Sequence, residues 1–263
     1  MVPTTDTPNA TSAPAEFYDH LAGEYDGMTG FADRFEREEP VFRDIVNAHN
    51  LRTALDAGCG TGFHSLLLAR LGVAVTAIDV STKMVQRTQQ HAAGMGLPVT
   101  VVQSDVLHVA DGIHAPFDAV FVLGNTLPHL TSDGEVDRAL GNFRSMLAPG
   151  GLLVLQTLNY DTVLAGRNRI ISVKETGGST YVRFYDFGAG TLTFNVLVLK
   201  RTASGLSHTL HSTLVRPLTS AFIMDALGRA GFVSTKRFGS LGRDPFTPSS
   251  RDHVVFAYAP AGA

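Results

Sequence analysis

Residues 54–62 read Ala54-Leu55-Asp56-Ala57-Gly58-Cys59-Gly60-Thr61-Gly62, and this stretch decides the fold. A short apolar run enters a glycine-rich turn, and a helical segment begins at Gly62. Glycines let a backbone pass close beneath a ligand, while the N-terminus of the next helix offers unpaired amides and the positive end of a dipole. The stretch therefore predicts a strand, a ligand-binding turn and a helix in succession.

Outward from this turn, short β-branched runs alternate with helical stretches, which is the pattern of stacked βαβ units and a parallel sheet. The predicted strands are Thr53–Leu55, Ala74–Ile78, Val99–Gln103, Asp118–Leu123 and Leu152–Thr157. The predicted helices between them are Gly62–Leu71, Thr82–Ala93 with Ser81 as its N-cap, and Gly134–Leu147.

After Asn159 the pattern changes to four strands without intervening helices, which predicts an antiparallel insertion. These strands are Ile170–Lys174, Thr180–Phe187, Thr191–Lys200 and Ser207–Val215. The α/β pattern returns with a helix at Thr219–Ala230 and strands at Phe232–Phe238 and His253–Tyr258, while helices at Glu16–Tyr25 and Arg34–Ala48 precede the first strand.

The fold class is therefore α/β, with a doubly wound, mostly parallel seven-stranded sheet and an inserted small antiparallel sheet. We expect a disordered tail at residues 1–15 and an N-terminal helical cap at 16–50. The ligand-binding core spans 51–160 and 216–263, and the inserted subdomain at 161–215 forms a substrate site or lid.

The composition points to a small-molecule partner. The chain has 263 residues with 21 basic and 24 acidic side chains, a net charge of −3, so it lacks the basic footprint that nucleic acids or anionic membranes attract. The lone Cys59 excludes an intrachain disulfide and a thiolate-built zinc site. We expect a cytoplasmic protein without metal or membrane span, and its oligomeric state stays open, a homo-oligomer included.

Two carboxylates follow the next two strands. Asp79 ends the second strand, 23 residues after Asp56, where a side chain can accept hydrogen bonds from both hydroxyls of a ribose. Asp105 follows the third strand, placed to accept from an exocyclic amine such as that of adenine, with Val106 and Met84 as apolar walls. Each Asp alone also fits a turn or cap. Together with the glycine turn, at three successive strand ends, they favour a nucleoside site.

The spacing of the glycines indicates which kind of nucleoside ligand the turn binds. The dinucleotide fingerprint G-x-G-x-x-G requires a glycine at position 63, where this chain has Phe63. Taken together, the motifs resemble those of the class I S-adenosylmethionine-dependent methyltransferases. The resemblance implies a Rossmann-like fold with S-adenosylmethionine as cofactor. It also implies residue roles: the methionine part lies on Asp56, Gly58 and Gly60, the ribose on Asp79, and the adenine on Asp105 and Val106.

Three further segments resemble the glycine and sarcosine N-methyltransferase branch of that family: Tyr25–Thr29, Leu123–Leu130 and Asn159–Asp161. By this similarity Tyr25 and Arg34 cover the cofactor. Leu123 lines its pocket, and Asn125 faces the reacting centre.

One residue departs from that branch. The glycine enzymes carry an Arg immediately before Asn-Tyr-Asp that binds the amino-acid carboxylate, and this chain has Leu158. A buried Leu cannot pair a carboxylate, so glycine is disfavoured as the acceptor. Arg167, Arg183 and Arg216, in or beside the insertion, are the alternative cations.

Methyl transfer requires an aligned acceptor with a free lone pair. His129 lies in the loop after the fourth strand and has an ordinary pKa near neutrality, so it is a candidate base, although it equally fits a role in the loop backbone. The catalytic candidates are thus Asn125, His129 and Tyr25. The acceptor-binding candidates are Leu158, Tyr160, Tyr181 and Arg183.

The predicted activity is methyl transfer from S-adenosylmethionine to a small molecule, at nitrogen. Transfer to the sulfur of a thiol or the oxygen of a phenol is the alternative within this class. A nicotinamide-dependent oxidoreductase and a non-catalytic S-adenosylmethionine-binding module are the alternatives from other classes.

Overall fold

The computed structural model describes residues 11–109, 112–114, 116–203 and 205–262. The predicted tail at 1–15 falls partly outside these residues. Its described end is ordered, because the Ser12 amide donates to the Ser212 carbonyl at 2.9 Å and a helix begins at Pro14. The tail prediction is therefore wrong from Ser12 onward.

Within the described residues, seven strands form the main sheet and four form a separate antiparallel sheet, as predicted. Numbered along the chain, they are β1 Thr53–Ala57, β2 Ala74–Asp79, β3 Val99–Gln103, β4 Phe117–Val122, β5 Leu147–Leu158, β6 Ile170–Thr176, β7 Ser179–Phe187, β8 Leu192–Thr202, β9 Gly205–Val215, β10 Val233–Phe238 and β11 Asp252–Tyr258. The main sheet has the order β10-β11-β5-β4-β1-β2-β3. β11 runs antiparallel to β10 and β5, and the other neighbouring strands are parallel.

The helices pack on both faces of the main sheet or cover its carboxyl edge. They are α1 Pro14–Leu21, α2 Tyr25–Thr29, α3 Phe31–His49, α4 Phe63–Arg70, α5 Thr82–Met95, α6 Asp133–Met146, α7 Tyr160–Gly166 and α8 Ser220–Arg229. The Ser81 cap is confirmed, since its hydroxyl accepts from the Met84 amide at 3.1 Å. The single helix predicted over Glu16–Tyr25 is instead two helices, and α7 was not predicted.

The start of β5 differs from the prediction. The helix over Gly134–Leu147 ends at Met146, and the strand begins at once with Leu147 opposite Phe117. The register then shifts before Ala119 pairs with Leu152, with Gly150 in the left-handed conformation at φ +75°. Such a bulge lets a strand continue through a Pro-Gly-Gly segment that reads as a turn.

Alternation along the central strands builds two apolar layers. Leu55 and Val120 face the layer that packs against α6 and α8, whereas Ala54 and Phe121 face the layer against α3 and α4. Because both faces are covered, the polar strand ends are the exposed feature of the main sheet, at its carboxyl edge.

The second sheet and the N-terminal helices pack together over that edge. Phe17, Leu21 and Met28 form one apolar cluster with Tyr181 and Val196 of β7 and β8. This cluster fixes two walls above the strand ends. Among the helices of the described residues, none is long and apolar enough to cross a bilayer.

Candidate active site

One cavity of about 970 Å³ lies at the carboxyl ends of the central strands. Gly58, Asp79, Asp105, Leu123 and Leu158, each at or just after the end of one of the strands β1 to β5, all line it. The N-terminal helices and the inserted sheet supply the opposite walls. The residues singled out at successive strand ends in the sequence thus meet in a single site.

The glycine turn forms the floor of this cavity. The amides of Gly58 and Cys59 both donate to the Ile78 carbonyl at 2.9 Å, which ties the turn to the end of β2. Gly58 has φ +78°, and a Cβ there would lie 2.5 Å from the Cγ2 of Thr126. Only glycine fits both the left-handed conformation and this close approach.

Asp79 is buried, with 8% of its surface exposed. Its Oδ2 accepts the Gly60 amide at 2.8 Å and its Oδ1 accepts the Ser81 amide at 2.9 Å. Burial raises the pKa of Asp79 to about 6, against the lowering effect of those two amides. Each carboxylate oxygen keeps a lone pair for a ligand hydroxyl.

Asp105 is the more exposed of the two carboxylates. Its Oδ1 accepts the Leu107 amide at 2.9 Å, which makes a local turn and leaves Oδ2 toward His108, 4.0 Å away. Val106 lines the cavity beside it, and its carbonyl accepts the side-chain amide of Asn142 at 3.1 Å. Asp105 thus offers a hydrogen-bond acceptor and Val106 an apolar wall for a planar base.

Tyr25 and Arg34 both line the cavity. A Cβ on Gly60 would lie 3.5 Å from the Tyr25 ring, so this ring covers the glycine turn. The Arg34 guanidinium forms two hydrogen bonds with Glu38, at 2.8 and 3.1 Å, and stacks 3.9 Å above the Phe63 ring.

Glu38 stays ionised beneath Arg34. Burial acts to raise its pKa, but hydrogen bonds from His64 and Arg34 hold the pKa of Glu38 well below its usual range. Arg34 is thereby fixed in orientation, and one of its terminal nitrogens, Nη2, also lies 3.0 Å from His64 Nε2. Phe63 stands where the dinucleotide fingerprint requires a glycine, and the Arg34 guanidinium stacks on its ring.

Asn125 has a strained backbone and a side chain held by two hydrogen bonds. It is a non-glycine residue at φ +70°. Its Nδ2 donates to the Tyr160 hydroxyl at 2.8 Å, and its Oδ1 accepts the Leu158 amide at 3.1 Å. These contacts hold the loop after β4 against the end of β5 at the cavity wall.

His129 lines the cavity, and its Nε2 lies 2.9 Å from the hydroxyl of Tyr18 in α1. Burial lowers the pKa of His129 to about 4. The imidazole is therefore neutral at pH 7, and it is a much weaker base than the ordinary pKa assumed from the sequence. Burial also raises the pKa of Tyr18, so the pair is a neutral phenol beside a neutral imidazole.

Four predicted site residues lie outside the cavity wall. Asp56 is buried and accepts from the Ser65 hydroxyl at 2.5 Å, a contact that holds the glycine turn to α4. Met84 is fully buried in the sheet-facing side of α5. Tyr160 is fully buried behind Asn125, and Tyr181 donates to Glu24 at 2.8 Å beneath the N-terminal helices.

The three alternative cations are separated by the fold. Arg183 of β7 lines the cavity. Arg167 lies over the Phe187 ring at 4.8 Å, and Arg216 pairs with Asp133 at 2.5 Å, so both are held elsewhere.

Several cavity residues were missed in the sequence. Tyr18 has no strand-end signal, and it reaches His129 from 111 residues away. Gln156 lines the cavity two residues before Leu158, and its Oε1 accepts the Gly124 amide at 2.9 Å. The period of two along β5 is a signal that could have identified Gln156, because it shares a face with Leu158.

Comparison with known proteins finds methyltransferases that are similar to this chain. A methyltransferase domain family matches residues 54–151, which hold the glycine turn, both carboxylates and Asn125. A glycine/sarcosine N-methyltransferase of Parasynechococcus marenigrum is 27% identical over 240 residues, covering 91% of this chain and 84% of the relative.

A second glycine/sarcosine N-methyltransferase, from Aphanothece halophytica, is 32% identical over 149 residues. That match covers 57% of this chain and 56% of the relative. Among solved structures, a S-adenosylmethionine-dependent methyltransferase from Clostridium acetobutylicum superposes with a TM-score of 0.77 at 14% identity, over 93% of this chain and 99% of that one. In sequence and in fold, the chain is similar to the class I S-adenosylmethionine-dependent methyltransferases.

Proposed function

We propose that the protein transfers the methyl group of S-adenosylmethionine to the nitrogen of a small-molecule amine. The observation that carries the proposal is the convergence of Asp79, Asp105 and Asn125 on one cavity at three strand ends. Similarity to two glycine/sarcosine N-methyltransferases favours nitrogen over sulfur or oxygen.

The cavity residues fit the nucleoside half of the donor. Asp79 has a lone pair free on each oxygen and lies beside the glycine turn, as a residue that binds two ribose hydroxyls must. Asp105 and Val106 offer an acceptor and an apolar wall for adenine, at the neighbouring strand end. These are the chemical requirements of an uncharged sugar and a planar base.

The same cavity fits the charged half of the donor. Glu38 occupies the Nε and Nη2 edge of the Arg34 guanidinium, and among the described residues no hydrogen bond is made by its Nη1, which can donate to the methionine carboxylate. Tyr25 covers the turn with an aromatic face, a favourable surface for a positively charged sulfonium. The N-terminal helices and the inserted sheet supply the opposite walls.

The protein's contribution to the reaction is alignment. When bound, S-adenosylmethionine would supply an electrophilic methyl group: the acceptor lone pair would attack its carbon in line as the carbon–sulfur bond breaks, with S-adenosylhomocysteine as the leaving group. Asn125, held by Tyr160 and Leu158, presents a fixed polar edge at the acceptor side of the cavity. Preorganised geometry of this kind contributes on the order of 7 to 11 kcal/mol to such a reaction.

An alkylammonium acceptor has to lose a proton before transfer, because only the neutral amine has a free lone pair. His129 is neutral at pH 7 and hydrogen-bonded to Tyr18, so it orients this hydroxyl at the wall. Because its pKa is about 4, His129 is poorly matched to remove a proton from an alkylammonium, whose ordinary pKa is about 10.4. We infer that the amine enters as the minor neutral form, with water as the final proton acceptor.

The test combines donor binding with product mass. Calorimetry with S-adenosylhomocysteine measures the donor site. Mass spectrometry then measures methylation of matched amines, thiols and phenols. We expect binding and a mass increase of one methylene unit on amines. Methylation of thiols or phenols alone contradicts the choice of nitrogen, and absence of donor binding contradicts the proposal entirely.

A further inference from the structure

Arg183 lines the cavity wall, and among the described residues it has no acidic partner there. Its Nε donates to the Ser172 hydroxyl at 2.7 Å, and within the part of the chain that the structure describes its guanidinium forms no ion pair. Burial lowers the pKa of Arg183, although arginine remains protonated. A partly buried guanidinium whose terminal nitrogens have no partner among the described residues is energetically costly, and binding of an anion would stabilise it.

The groups around Arg183 do not compensate its positive charge. The guanidinium of Arg251 lies near enough to lower the pKa of Arg183 further, and it lines the same cavity. The hydroxyl-bearing side chains around it, Tyr18, Tyr25 and Tyr185, are neutral because burial raises the pKa of each. None of these groups neutralises the positive charge.

Arg183 is connected to the reacting end of the cavity through β7. Tyr185, two residues further along the same strand face, has its hydroxyl 3.3 Å from the hydroxyl of Tyr160, which accepts from Asn125. One strand repeat of two residues is about 6.8 Å. Among the described residues no hydrogen bond joins Arg183 to Asn125, and the two are linked through Tyr185 and Tyr160.

Apolar side chains line the same cavity as Arg183 and Asn125. Leu158, Ile171 and Phe194 line the cavity and pack against the buried rings of Tyr160 and Tyr185. Leu158 lies directly beside Asn125, since its amide donates to the Asn125 side chain. A ligand that reaches from Asn125 to Arg183 thus passes over a hydrocarbon surface.

We propose, on the basis of the methyl transfer proposed above, that the acceptor is an amine with a carboxylate that Arg183 binds, and that an apolar segment separates the two groups. The amine nitrogen lies at Asn125, the hydrocarbon segment contacts Leu158, Ile171 and Phe194, and the carboxylate pairs with the terminal nitrogens of Arg183. The anion site thus resides on the inserted sheet rather than at position 158, and it selects acceptors longer than glycine.

The test uses a series of ω-amino carboxylates with increasing spacer length. Glycine, β-alanine, 4-aminobutanoate and 5-aminopentanoate are compared with their primary amides as methyl acceptors for the full-length protein. We expect kcat/KM for the carboxylate to exceed that for the amide at least tenfold among the longer pairs, and to be small for glycine. Calorimetry of the same carboxylates with protein saturated with S-adenosylhomocysteine provides a readout independent of turnover.

Three variants test whether Arg183 causes the preference for carboxylates. Arg183→Leu removes the charge and is expected to abolish the preference for carboxylates over amides, whereas Arg183→Lys retains part of it. Arg201→Leu removes an exposed arginine from the end of β8 in the same sheet, outside the cavity wall, and is expected to retain the full preference. Thermal unfolding and S-adenosylhomocysteine affinity show whether each variant is folded.

The outcomes separate this inference from the proposed function. Equal use of carboxylates and amides, or absence of carboxylate binding to the donor-product complex, overturns the anion site while leaving methyl transfer intact. Weaker S-adenosylhomocysteine binding in Arg183→Leu with unchanged carboxylate preference also overturns it, because the guanidinium then serves the donor. Loss of all donor binding in the unmodified protein instead contradicts the proposed function.

Discussion

The Oδ2 of Asp79 accepts the backbone amide of Gly60 at 2.8 Å, so one carboxylate both fixes the glycine turn and faces the cavity. A residue with this double role links the shape of the turn to ligand affinity. The remaining lone pairs of Asp79 are the ones that a ribose would use.

Asp79→Ala is expected to weaken S-adenosylhomocysteine binding by about 1 to 3 kcal/mol, roughly 5- to 150-fold in dissociation constant. The reason is the loss of acceptors for two hydroxyls and of the Gly60 tie. Isothermal calorimetry measures the change. Asp137→Ala, which removes an exposed carboxylate paired with Arg229, is the control and should bind normally. Equal affinities of wild type and Asp79→Ala would refute the role.

Donor affinity should also fall in acid. Because burial raises the pKa of Asp79 to about 6, this carboxyl takes up a proton as the pH falls through about 6 and loses acceptor capacity. We expect the dissociation constant of S-adenosylhomocysteine to rise up to about tenfold per pH unit below pH 6 and to be constant above pH 7. Asp79→Asn cannot titrate, so its affinity should lack this step. A step of the same size in Asp79→Asn would assign the proton to another group.

Gly58→Ala should destabilise the fold more than a comparable glycine substitution. Its Cβ would lie 2.5 Å from the Cγ2 of Thr126, in addition to the cost of φ +78°. Gly72 has φ +88°, and a Cβ there would have no described atom within 4 Å, so Gly72→Ala carries the backbone cost alone, about 1 to 2 kcal/mol. We expect Gly58→Ala to lose about 1 to 3 kcal/mol more in urea unfolding.

The clash can be isolated by a double-mutant cycle. Thr126→Ala removes the two nearest atoms and leaves the Cβ of residue 126 at 3.1 Å, so in that background the cost of Gly58→Ala should fall toward that of Gly72→Ala. Similar losses for Gly58→Ala in both backgrounds would show that Thr126 is not the obstacle.

The main sheet could be predicted because its signals are local. Strands such as Val99–Gln103 are short apolar runs between helices, and caps such as Ser81 act within one turn. The carboxyl-edge rule then brings Asp79 and Asp105 together without any further information. The start of β5 was not predicted, because Pro149-Gly150-Gly151 is typical of a turn. Its pairing with β4 shows that this segment is a bulge within the strand.

The supporting side chains could not be predicted because their partners are distant in sequence. Asp56 belongs to the family motif, yet its carboxylate turns toward Ser65 and away from the cavity. Tyr181 shares a strand face with Arg183, but the packed N-terminal helices bring Glu24 to its hydroxyl. Periodicity gives the face of a strand, whereas the neighbour on that face depends on the tertiary fold.

His129 lies in the cavity wall with a pKa of about 4, so its imidazole should not act as the general base at neutral pH. We expect His129→Gln to lower kcat less than tenfold, far below the roughly 10²- to 10⁴-fold contribution of a general base. The kcat/KM profile between about pH 5.5 and 7.5 should have the same shape in wild type and variant. Tyr18→Phe, which removes the same hydrogen bond from the other side, should give a similar small loss. A loss above about a hundredfold in His129→Gln, with an inflection near pH 6 to 7 that disappears only in this variant, would instead make His129 the base.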